Sequence, residues 1–487
     1  MDLKLIWSKH KVRLIALIVL AGVALLWLVF SPTTFKFLHG DAQETLREAE
    51  TALSEHSYQE ALTLYQKAML IDKSNYLPYL AAAEIYSLKN QPQNALDLIL
   101  QGVQNAAEKK ELYLEAGRLS LALNDPQKAR EYLLHADQQD FQTHLLAGQT
   151  YLVQDNLPQA QKMLSAATTT QPTDPASHYY LALALVFDDP QKALEEAKTA
   201  TERSWEGKAK ALSLQQTLAE MLAAKNDLFK TTLMCYALLA AGYPQPTINP
   251  LKAVLRQDPK YRDALILLGT VQFKLEQENE ALSYLNAALQ IDPAYAQTSL
   301  LLGQIYESQT NFPEAQKYFE QASELEHLNV TFLEELATFY ERREQFTQAT
   351  DTWEKLTANE EEVDLTKIEN EIHLAFLYLD KLHDLAKGGD WASQLKTASD
   401  SDSLPLPDAD LKSRIEDLDL WFSFSQGKEK EALEGYQTLV TQSPYNPLFW
   451  YHKAKVEEAL GKKKESKESL TRARDLDLTG EIGLLPQ

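Results

Sequence analysis

Two patterns of apolar positions divide the chain. The first is a continuous run from Leu14 to Phe30 that holds no charged residue. As a helix it rises roughly 26 Å, slightly short of the hydrocarbon thickness of a bilayer. The uncharged stretch continues through Ser31-Pro32-Thr33-Thr34-Phe35, so a membrane span can be completed with modest adjustment. Trp7 and Trp27 fall where indole rings favour the two interfaces, and Pro32 would stop the helix. The second pattern is periodic. After residue 41 small residues recur at a near-constant spacing, at Ala61, Ala95, Ala129, Ala160 and Ala193, with gaps of 34, 34, 31 and 33. They recur again at Ala281, Ala315 and Ala349, 34 apart each time, and at Ala432. The string Asp-Pro-Gln-Lys-Ala occurs at both 125–129 and 189–193. Such a period predicts an all-α chain: one N-terminal transmembrane helix, then an α-solenoid of about ten to twelve helical hairpins.

The clearest unit, 296–329, carries Leu302-Gly303, Tyr306, Ala315, Phe319 and Ala322. Its neighbour at 262–295 carries Leu268-Gly269, Ala281, Leu285, Ala288 and Pro293, and unit 330–363 carries Leu336-Ala337, Tyr340, Ala349 and Trp353. In these residues and their spacing the chain resembles the tetratricopeptide repeat (TPR) family, whose unit is a helix-turn-helix of the same period. Packing explains the residue types. Ala83, Gly117, Gly148, Gly269, Gly303 and Ala337 let the second helix cross the first closely, and large neighbours such as Tyr306 and Phe319 fill the space beside the crossing. A single hairpin leaves an apolar face that only a stacked neighbour covers.

The resulting organisation is a basic cytoplasmic N-terminus (1–13), an anchor (14–30), a juxtamembrane linker (31–41), a first repeat run (42–205), an irregular, proline-rich insert (206–261), central repeats (262–363), irregular helices and a flexible linker (364–410), and a C-terminal pair of repeats (411–480). Lys4, Lys9, Lys11 and Arg13 against Asp2 precede the apolar run, with Lys36 and Arg47 soon after it. That asymmetry favours a single-pass topology in the cell membrane, with the repeats outside the cytoplasm. A cleaved signal peptide would have a shorter apolar region, followed within reach by an Ala-x-Ala-like site, and no such site follows here.

Composition narrows the function. The net charge is −23, which repels phosphate backbones and argues against a nucleic-acid partner. One cysteine, Cys235, excludes an internal disulfide and a cysteine zinc site. No phosphate-binding glycine loop, His-Glu-x-x-His helix or Gly-x-Ser-x-Gly elbow is present. His135, Asp137, Asp140 and His144 come nearest to a ligand cluster, but they straddle an inter-repeat turn. The expectation is therefore no catalytic residue, metal, cofactor or small-molecule substrate: not an enzyme, but a binder of proteins or peptides. The TPR resemblance implies that first helices line a groove, with inward residues at the fifth, ninth and twelfth positions. Here that gives Ile266, Thr270, Phe273, Leu300, Gln304, Glu334 and Glu341 as peptide-binding candidates. Several of the leucines at these positions could equally pack between repeats. The family's carboxylate clamp, which uses inward lysine, asparagine and arginine, is absent: the corresponding positions are Leu46 and Glu50, Leu80 and Glu84, and Leu114 and Arg118. The expected role is a membrane-anchored interaction scaffold or holding chaperone in an envelope assembly. The alternative is a cytoplasmic-face adaptor that delivers substrates to a membrane protease or biosynthetic enzyme. The cysteine module that accompanies such repeats in one adaptor has no counterpart here.

Overall fold

The computed structural model describes residues 41–359, 365–401, 409–478 and 480. The expected anchor and its basic flank lie outside the described residues, as do the acidic run Glu360-Glu361-Glu362 and most of the expected linker. Among the described residues there are 25 α-helices and no strand, and no helix is long and apolar enough to cross a membrane.

The chain divides into two compact units, one ending at Leu123 and the other running from Asn124 to Asp477. The N-terminal unit holds the hairpins Ala42–Ser54 with Tyr58–Ile71 and Leu77–Leu88 with Pro92–Asn105, followed by helix Lys110–Ala122. The C-terminal unit opens with Pro126–Leu133. Each of its helices packs on its sequence neighbours, and its hydrophobic clusters follow one another along the chain from Phe141 to Val456. Among the described residues eleven hairpins lie wholly within one unit or the other, within the range expected from the period.

Local chemistry fixes the helix starts. Asp125 and Asp189 open the repeated Asp-Pro-Gln-Lys-Ala string. Each accepts a hydrogen bond from the backbone N–H three residues on, Lys128 and Lys192, at 3.0 Å. The following prolines occupy the first helical position, where no N–H is needed. The hairpin turns share a second device. His56, Asn90, Asp155, Glu276, Thr310 and Glu344 all adopt a left-handed backbone, φ 53° to 60°. In each turn the next N–H reaches back to a carbonyl in the preceding helix, as Asn311 does to Tyr306 at 2.8 Å and Gln345 to Tyr340 at 2.9 Å. This is the Schellman closure of a helix C-terminus.

The periodic small residues sit where the helices cross. Ala61, Ala95, Ala129, Ala160, Ala193, Ala281, Ala315, Ala349 and Ala432 are all fully buried at 0% exposure. Where the first helix carries glycine there is no room for more: a Cβ on Gly148 would lie 2.4 Å from Leu164, and one on Gly269 2.6 Å from Leu285.

The stretch 206–261 contains a lone helix, Lys208–Ala223, and then a hairpin of Asp227–Ala240 with Ile248–Gln257. Its proline string becomes a 3-10 turn, Gln245–Thr247, that leads into the second helix. Gly242 takes the left-handed turn position, and Glu276 takes the same position one repeat period later.

Candidate protein-binding surfaces

Each unit carries an open groove built largely from first helices. In the C-terminal unit a groove of about 640 Å³ runs across Asp227–Ala240, Arg262–Lys274 and Ala296–Ser308. Its walls are mostly apolar and aromatic, including Phe229, Leu233, Tyr236, Leu267, Tyr295 and Leu301. Tyr236 stands 49% exposed, a large amphipathic ring left facing solvent between Asp227–Ala240 and its neighbours. Arg262 closes in beside the groove. Its guanidinium lies 4.1 Å from the centre of the Tyr295 ring, and it pairs with Asp263 at 2.8 Å and Asp292 at 2.7 Å. The Asp263 charge on the groove wall is thus already matched.

Of the residues expected to line a groove, Ile266 and Thr270 do so here. Ile266 is nonetheless buried, and the Thr270 hydroxyl donates to the Ile266 carbonyl. Leu300 packs in the core with Phe319, Phe332 and Leu333 and is not in the groove lining, whereas the adjacent Leu301, also buried, is. Phe273 is half-buried against the cluster of Ile266 and Leu301. Gln304 donates to Glu335 at 3.4 Å. Glu334 is exposed. Glu341 accepts from Trp353 Nε1 at 2.5 Å and meets His373 Nε2 at 3.0 Å, and Glu307 is held bidentately by Arg342 at 2.8 Å. Glu307 and Glu341 are therefore engaged within the protein, while Glu334 is open to solvent.

Sequence reasoning missed Phe229, Leu233 and Tyr236, because the prolines that follow hid the hairpin they belong to. The period did contain the signal. Tyr236 lies one repeat period before Thr270, and so occupies the same ninth position.

In the N-terminal unit a groove of about 720 Å³ is lined by Leu46, Leu77, Leu80 and Leu88 together with Glu50, Glu84 and Glu115. Arg118 folds onto Glu115, with Nε–H donating at 2.8 Å. The buried Tyr65 phenol lies at the floor. Burial first, and then the nearby Glu50 and Glu84 carboxylates, raises its pKa above the ordinary phenol value.

The fold and these surfaces define a helical-hairpin repeat protein. Tetratricopeptide repeat family models match residues 248–296 and 276–330, and that match supports a protein-interaction scaffold as its class. No curated protein matches the chain. Among solved structures, the APC/C hetero-tetramer Cut9–Hcn1 aligns at 15% identity over 94% of this chain and 91% of that one, with a TM-score of 0.30. The human IFIT1 dimer with m7Gppp-AAAA aligns at 13% identity over 83% and 90%, with a TM-score of 0.31. Overlays this loose say nothing of what the present chain binds.

Proposed function

We propose that the protein is a membrane-anchored interaction scaffold, held by the apolar run Leu14 to Phe30, whose first-helix grooves receive segments of partner proteins outside the cytoplasm. The observation that carries the binding half of this reading is the groove around Tyr236. Aromatic and leucine side chains from three successive first helices face one open channel there, and half-exposed tyrosine beside apolar walls is the chemistry of interface anchors. The anchoring half rests on the uncharged run and the basic residues before it.

The binding half is tested by Tyr236→Asp combined with Leu267→Asp. Both side chains reach the groove wall, and neither is fully buried. Aspartate at Ile266 or Leu300 would instead bury a charge and threaten the fold. The double variant is expected to keep its helical circular dichroism and lose its co-purifying partners. Unchanged partner recovery would remove this groove from the function.

A further inference from the structure

The two grooves differ in the state of their carboxylates. In the C-terminal unit the carboxylate in the groove lining, Asp263, is matched by Arg262. In the N-terminal unit Arg118 pairs with Glu115 and exerts a weaker pull on Glu84, while Glu50 and Glu84 are exposed beside leucines and make no ion pair among the described residues. They occupy equivalent positions, one repeat period apart, on adjacent first helices. Leu77 at 47% and Leu88 at 44% exposure leave apolar surface open next to them.

We infer that the N-terminal groove selects a cationic amphipathic segment of a partner protein, with its apolar side chains on Leu46, Leu77 and Leu80 and its lysines or arginines at Glu50 and Glu84. This rests on the scaffold reading and adds the chemistry of the partner. A neutral apolar segment would desolvate two carboxylates without bringing them an ion-pair partner, and an acidic one would be repelled. A polyproline-II segment advances about 9 Å in three residues with those side chains on one face. Basic residues three positions apart on such a segment would present both cations to the carboxylate-bearing face.

The test uses the full chain in detergent and a fluorescent synthetic peptide of leucines interspersed with a Lys-x-x-Lys pair, read by anisotropy. Glu50→Gln with Glu84→Gln is expected to weaken binding about tenfold and to flatten its salt dependence. The same charge change at the exposed Glu431 and Glu434 of the C-terminal unit is expected to leave binding unaltered. These Gln substitutions are on exposed helix positions, and circular dichroism verifies that the helices persist. Equal binding by the groove variant and the wild type would overturn the inference, as would equal weakening by the Glu431 and Glu434 variant, which would reveal attraction to net charge alone. If the peptide result fails while partners are still captured at Tyr236, the scaffold reading stands and cation selection falls.

Discussion

At the scale of single residues, the repeat is held by contacts that leave no spare volume. Gly269 faces the fully buried Leu285, with space for a hydrogen and not for a methyl group. Gly269→Ala gains helix propensity but forces Leu285 aside, and it is expected to lower stability by about 1–2 kcal/mol in chemical denaturation. An unchanged or raised midpoint would show that the helices can separate at that crossing. A second residue-scale expectation concerns His178, whose Nδ1 lies against Glu196 on the other helix of its hairpin and whose Nε2 lies 3.0 Å from the Pro172 carbonyl. The hydrogen bond to Glu196 raises the imidazole pKa above its usual value, against an opposing effect of burial. Because the folded-state pKa is raised, the stabilisation is fully present below the unfolded-state value, near 6.5, and fades as pH rises through the folded-state value. Melting temperatures of the wild type and His178→Gln should differ more at about pH 5.5 than at about pH 8.5. A gap independent of pH would mean that the ring contributes by packing alone.

At the scale of elements, the sequence revealed the crossings better than the turns. The alanine period was legible because close approach demands one residue type, and all nine of those alanines are buried. The turns were not, because their left-handed position holds His, Asn, Asp, Glu or Thr at most hairpins, where glycine would have announced it. Thr310 is the least suited of these, being β-branched at φ 57°. Thr310→Gly is therefore expected to stabilise the protein by about 1 kcal/mol. Loss of stability on that change would indicate that the threonine side chain contributes more than its backbone strain costs. The hairpin at 227–257 escaped notice for a related reason. Pro244 and Pro246 read as a break in the pattern, yet the 3-10 turn Gln245–Thr247 absorbs Pro246 and the chain resumes its period. With that hairpin went Tyr236, so the groove it lines was only half visible. Ile266 and Thr270 were legible from their repeat positions. That Leu301, and not Leu300, faces the groove depends on side-chain packing that a position number does not encode.

At the scale of the whole molecule, two properties frame the function: a chain of net charge −23 built from helical hairpins, and an uncharged apolar run with basic residues before it. The proposed topology predicts that a tag after Gln487 is digested by protease added to cells stripped to the cytoplasmic membrane. Protection of the tag until lysis would place the repeats in the cytoplasm and favour the adaptor reading.

Binding of partners on the first-helix surface is tested most directly by placing a photo-crosslinking amino acid at position 236 in cells, with the exposed Glu465 as the comparison site. Discrete protein adducts are expected from position 236, and none of the same mass from position 465. A full-length, membrane-associated protein that yields no adduct from position 236 would contradict a partner site there.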